Sequence, residues 1–88
     1  MVTNINIYCL FDKDGSLHGV YSSIKAVHRD ALRLCNTGHS GVFLRQPDGA
    51  KKPTITLLRN IFKGEIDVKV TYVSDKSQVI ILKTGLKE

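Results

Sequence analysis

INIYCLFDKDGSLHGVYSSIKAVHRDALRLCN, residues 5–36, holds the pattern that decides the fold. Ile5, Ile7, Cys9 and Phe11 alternate with Asn6, Tyr8 and Leu10. Successive side chains of a strand point to opposite faces, so period-two alternation predicts a strand, here with both faces partly apolar. Asp12-Lys13-Asp14-Gly15-Ser16 supplies turn chemistry, since Gly15 tolerates φ > 0 and Asp14 can bond its own backbone. Leu17 to Tyr21 continues extended, and residues 5–21 read as a β-hairpin. The period then changes. Ser22 or Ser23 offers an N-cap oxygen, and behind it Ile24, Val27, Ala31 and Leu34 recur at helical spacing, with Ala26 and Cys35 broadening the stripe. Asn36-Thr37-Gly38 ends the pattern, and Gly38 suits the left-handed stop. A helix over Ser23–Asn36 is expected.

Further along, Val42-Phe43-Leu44 predicts a short strand, and Gln46 to Pro53 a polar, turn-rich loop. Thr54 to Lys63 carries two periods. Thr54-Ile55-Thr56-Leu57 alternates like a strand, yet Ile55, Leu58 and Phe62 fall at helical spacing. Pro53-Thr54 before and Gly64 after are helix punctuation, so a short helix is expected. Ile66, Val68, Val70 and Tyr72 share one face of the next strand, and Asp67, Lys69 and Thr71 the other. Ser74 to Gln78 turns the chain, Val79 to Thr84 forms the last strand, and Gly85 to Glu88 reads as a tail. The expected fold is α+β, ordered ββαβαββ, with helices on one face of a mainly antiparallel sheet. At 88 residues, one domain over 1–88 is expected.

Hydrophobic residues make up 42% of the chain, which fits a globular protein and argues against disorder. Thirteen Lys and Arg against eight Asp and Glu give a net charge of +5. That balance points to an anionic partner, nucleic acid, an acidic protein or a membrane surface, beside the plainer use of cations for solubility. Cys9 and Cys35 sit among apolar residues and read as buried free thiols of a reducing compartment. Met1-Val2-Thr3-Asn4 lacks the start of a signal peptide, and no apolar run has the roughly 20 residues of a membrane span. Cytoplasm is the expected location.

Leu10-Phe11-Asp12-Lys13-Asp14-Gly15-Ser16-Leu17 resembles the first motif of haloacid-dehalogenase-like phosphatases, which would make Asp12 a nucleophile and Asp14 an acid/base. That chemistry needs further carboxylates for magnesium, and no later acidic pair fits, so the segment reads as a hairpin turn. It also lacks the terminal Glu of a calcium loop. His18, His28 and His39 show no metal-ligand spacing. His28 and Cys35, seven apart on one helix, are a conceivable nucleophile pair with no orienting third residue. No metal, cofactor or self-sufficient catalytic activity is expected.

Lys25, Arg29 and Arg33 stand at i, i+4 and i+8, a single basic stripe on the first helix with Asp30 as its only acid. Arg45, Lys51 and Lys52 follow the third strand, then Arg59 and Lys63. If the loop folds toward the helix, these cations form one surface suited to a phosphate backbone. Tyr8, Tyr21 and Tyr72 are the candidates for stacking on bases, while Phe11, Phe43 and Phe62 read as core. Val79-Ile80-Ile81-Leu82 is apolar on both faces, which fits either a central strand or an edge that pairs with a second copy to form a homodimer.

In size, basic charge and the opening Ile5-Asn6-Ile7-Tyr8-Cys9-Leu10-Phe11-Asp12, the chain resembles the small early accessory proteins of T-even-like bacteriophages. Among these it is similar in size and charge to the TifA type. The resemblance implies an RNA-binding inhibitor of a host toxin–antitoxin ribonuclease, dimeric and acting in the host cytoplasm. It transfers no functional residue. The residues themselves point to an RNA-binding accessory protein through Lys25, Arg29, Arg33, Arg45, Lys51 and Lys52. The alternative is an interaction module that grips an acidic host protein without nucleic acid.

Overall fold

The computed structural model describes residues 4–35, 41–46, 49–63, 67–75 and 77–87. The first hairpin forms as β1 (Asn4–Phe11) and β2 (Leu17–Tyr21), with Cys9 opposite Val20 and Leu10 opposite Gly19. Its turn is tied by Asp12 rather than Asp14. Asp12 Oδ1 accepts the amides of Asp14 and Ser16 at 2.9 and 3.0 Å. Gly15 takes φ 82° and donates its amide to the Asp12 carbonyl. The carboxylate of the phosphatase-like motif is thus engaged by its own turn.

Ser23 caps α1 (Ile24–Cys35), its hydroxyl accepting the Ala26 amide at 3.1 Å. Val27, Ala31 and Cys35 are buried. The expected stop at Asn36 to Gly38 lies outside the described residues. Where the sequence predicts only a loop after the third strand, a second hairpin forms from β3 (Phe43–Gln46) and β4 (Gly49–Lys51). Three exposed residues are too few for any period to show, and Gly49, at φ 129°, supplies backbone freedom rather than a side-chain signal. The ambiguous segment is helical, α2 (Ile55–Phe62). Thr54 is its N-cap and accepts the Leu57 amide at 3.1 Å, while Leu58 and Phe62 are buried. The expected stop at Gly64 lies outside the described residues, as does Ile66.

β5 (Val68–Val73) and β6 (Gln78–Lys87) make the third hairpin. β6 runs on through the stretch expected to be a tail, because the start of β1 gives it a partner as far as Lys87. The sheet order is β2-β1-β6-β5-β3-β4, antiparallel throughout. The α+β class holds, with the order ββαββαββ. β6 lies between β1 and β5, so both of its edges are already paired. Its two-sided apolar character comes from this central position, and the expected pairing with a second copy through the last strand has no free edge to use.

The helices cover one face. α1 packs over β6, β1, β2 and β5, and α2 lies against α1. Between the layers sit Leu10, Leu44, Val70, Tyr72, Val79 and Ile81 from the sheet, with Val27, Ala31, Leu58 and Phe62 from the helices. Each fully buried Val, Leu, Ile or Phe among them contributes about 1.5–3 kcal/mol by leaving water. The other face carries Ile7, Cys9, Phe11, Phe43, Val73, Ile80 and Leu82, and no described element covers it.

The aromatics are distributed against expectation. Tyr8 and Tyr72, expected to be available for stacking, are buried, and Tyr8 stacks tilted on Phe62 with ring centres 5.5 Å apart. Phe43, expected in the core, is 45% exposed on the uncovered face. In a run such as Val42-Phe43-Leu44 only pairing decides the inward residue, and here Leu44 stands opposite the buried Tyr72.

Candidate nucleic-acid interface

The apolar stripe of α1 faces the sheet, so Lys25, Arg29 and Arg33 are held outward, all exposed. One turn of four residues separates each from the next, about 6 Å of axial rise. The helix is fixed in rotation by contacts on its inner side. His28 Nδ1 shares a 2.7 Å hydrogen bond with the Tyr72 hydroxyl, and their rings meet edge to face. Burial lowers the His28 pKa and pushes the Tyr72 hydroxyl well up, so both are neutral near pH 7. At the far end the Cys35 carbonyl accepts the Ser74 hydroxyl at 2.7 Å.

Asp30 is drawn into this surface. It accepts the Tyr21 hydroxyl at 2.7 Å and meets Arg29 Nε at 3.3 Å. The Tyr21 hydrogen bond, with Arg29 and Arg33 near, lowers the Asp30 pKa, while burial raises that of Tyr21. Gly19 makes the reach possible: a β-carbon there would stand 3.0 Å from the Tyr21 hydroxyl oxygen. Part of the Arg29 charge is therefore answered locally, although an exposed pair of this kind contributes little. His18, Asp30, Arg33 and Leu34 border a shallow pocket of about 290 Å³ beside the stripe.

The remaining predicted residues do not join the α1 stripe as a group. Arg45 stands opposite Ala50 and one residue beyond Leu44, so it projects from the uncovered face of the sheet, away from the helices. It borders an apolar pocket of about 350 Å³ with Phe43, Val73 and Asp75. Lys51 stands opposite Leu44 and so shares the helix side, but on the edge strand β4; Lys52 follows it, and both are exposed. α1 packs over the other end of the sheet. The loop after the third strand thus pairs as a hairpin instead of folding toward α1.

α2 supplies the neighbours that the stripe gains. Arg59 is exposed on its outer side and Lys63 is its C-cap. Both border a cavity with Ile24 at the start of α1. Lys25, Arg29, Arg33, Arg59 and Lys63 therefore lie on one helical layer, with Asp30 the only carboxylate of the two helices. The same cavity holds a residue that the sequence reading passed over. Lys83 is 5% exposed, on the buried row of β6 after Val79 and Ile81, and donates to the Phe62 carbonyl. Its signal was present as a charge in phase with the apolar positions of a strand.

The other reactive groups are occupied. Cys35 is fully buried, its thiol pKa raised by burial, with Sγ 3.6 Å from the Ser77 carbonyl, while His28 is engaged by Tyr72. The conceivable Cys35–His28 pair is not assembled. Cys9 is half-buried on the uncovered face rather than in the core. Among the described residues no group of His, Cys, Asp or Glu is placed to hold a metal ion, and no helix is long and apolar enough to cross a membrane. Comparison with protein-family models, curated proteins and solved structures finds no match to this chain.

Proposed function

We propose that this chain is a nucleic-acid-binding accessory protein that lays its helical layer along a phosphate backbone, with RNA as the favoured partner. One observation carries the reading: Lys25, Arg29, Arg33, Arg59 and the C-cap Lys63 are all exposed, while the two helices hold one carboxylate, Asp30. Such an asymmetry concentrates positive potential on one side of a small domain. Tyr8 and Tyr72 are buried, and the half-buried Tyr21 is the one tyrosine left on that side among the described residues, its hydroxyl held by Asp30, which favours contacts to backbone and shape over base readout. The finer role, inhibition of a host toxin–antitoxin ribonuclease by a phage factor, is supported by the resemblance in size, charge and opening strand. The test is binding of labelled single-stranded and duplex RNA across a salt series, beside pull-down from lysate with and without nuclease. Salt-sensitive binding and loss of captured partners after nuclease support the proposal. A partner retained after nuclease, with no RNA binding at low salt, would replace it by direct grip on an acidic protein.

The uncovered sheet face supports a second reading that leaves the helical layer free, namely face-to-face association of two copies. Leu17, Val20 and Phe43 are 56%, 55% and 45% exposed there. Sedimentation equilibrium should show a dimer that Val20→Lys with Leu82→Lys converts to monomer. A wild-type chain that stays monomeric at 100-micromolar order would reject it.

A further inference from the structure

Lys83 is a lysine on the buried row of β6. Taking an ammonium out of water costs several kcal/mol unless charge and hydrogen bonds replace the solvent. Its one hydrogen-bond acceptor among the described residues is the Phe62 carbonyl, in the last turn of α2. That carbonyl, with the roughly half negative charge of a helix C-terminus, meets one of three ammonium donors. No carboxylate among the described residues borders the cavity onto which Lys83 opens. Two further cations, Arg59 and Lys63, line the same cavity. A plain capping role for Lys83 would explain the carbonyl contact but not the two further cations on the lining of the cavity.

The cavity, about 450 Å³ and open to solvent, is also lined by Asn6 and Asn60. Three cations and two amide residues around an open depression match a compact anion with several acceptor oxygens. We infer that this cavity is a phosphate-binding site, with Lys83 as the inner donor and Arg59 and Lys63 closing on the anion from α2. The site rests on the nucleic-acid reading only for the source of its ligand. A terminal phosphate of RNA and free inorganic phosphate share the chemistry.

Thermal unfolding of the full chain in millimolar phosphate, against chloride at the same ionic strength, tests it. Ligand that binds only the folded state raises Tm, by about 5 °C or more at ten times Kd for a domain of this size. The shift should vanish in Arg59→Ala with Lys63→Ala and persist in Arg29→Ala with Arg33→Ala. Lys83→Met should lower Tm in chloride through loss of the bond to the Phe62 carbonyl, and should also abolish the further stabilisation by phosphate; a phosphate shift that persists in this variant would leave Lys83 a capping role alone. Equal shifts in the wild type and the Arg59→Ala, Lys63→Ala variant would mark a general salt effect and overturn the site. Oligonucleotides of one sequence with 5′-phosphate and 5′-hydroxyl ends then separate the sources. Tighter binding of the phosphorylated end assigns the terminal phosphate; equal binding assigns free phosphate. Loss of RNA affinity in Arg29→Ala with Arg33→Ala is read separately, so failure of the RNA reading and failure of the cavity are distinct results.

Discussion

Replacing Arg29 and Arg33 together with Ala should remove two phosphate contacts while leaving the domain folded, because both side chains are exposed and α1 is held from its inner side by Val27, Ala31 and the His28–Tyr72 bond. The magnitude follows from counterion release. Five contacts, from Lys25, Arg29, Arg33, Arg59 and Lys63, give a slope of about −3.5 for log K against log salt on single strands. Between 50 and 200 mM salt the wild-type affinity should then fall about 130-fold. Losing two contacts reduces the slope to about −2.1 and weakens binding about 25-fold at 0.1 M salt. Asp30, released from Arg29, would also present its charge more openly, which acts in the same direction. Fluorescence anisotropy with a labelled single-stranded RNA measures both quantities, and circular dichroism confirms the fold. An unchanged slope, or affinity within twofold of wild type in a folded variant, would refute the placement of the backbone along α1.

Three other outcomes concern the frame that holds this surface. Tyr72→Phe deletes the hydroxyl bonded to His28 in the centre of the core, and should cost about 1–2 kcal/mol, read as a fall in the urea midpoint. Burial lowers the His28 pKa, so the unfolded chain binds a proton more readily below about pH 6.5. Stability is therefore full above that pH and falls as pH drops toward the folded-state pKa, a trend that His28→Gln should flatten in urea titrations at pH 7.5 and 5. Asp12→Ala removes the acceptor of two turn amides and should lower stability by about 1–2 kcal/mol while leaving RNA affinity unchanged. A loss of RNA binding there would instead give the Asp12 turn a functional part.

The parts of the fold that were legible carry a sustained local period. The alternation of Ile7, Cys9 and Phe11 and the stripe of Val27, Ala31 and Cys35 each repeat often enough to mark strand and helix, and Ser23 and Thr54 both act as caps. β4 was not legible because its three residues pair through backbone alone. Register decided the rest. Parity places Phe43 and Arg45 together, but only the Leu44–Tyr72 pairing shows that they turn away from the helices. The same pairing sent Tyr72 inward, where His28 satisfies its hydroxyl. Within the site, the α1 stripe needed only helical geometry to be seen. Its company with Arg59, Lys63 and Lys83 depends on how α2 packs against α1, which no local pattern encodes.

The most direct measurement is the backbone amide spectrum of the isotopically labelled chain during titration with a short single-stranded RNA. The largest shifts should fall on α1 and α2, around Lys25, Arg29, Arg33 and Arg59. Shifts concentrated on the uncovered sheet face, at Ile7, Phe43 and Leu82, or a spectrum unaltered at low salt, would contradict the assignment of the helical layer to nucleic acid.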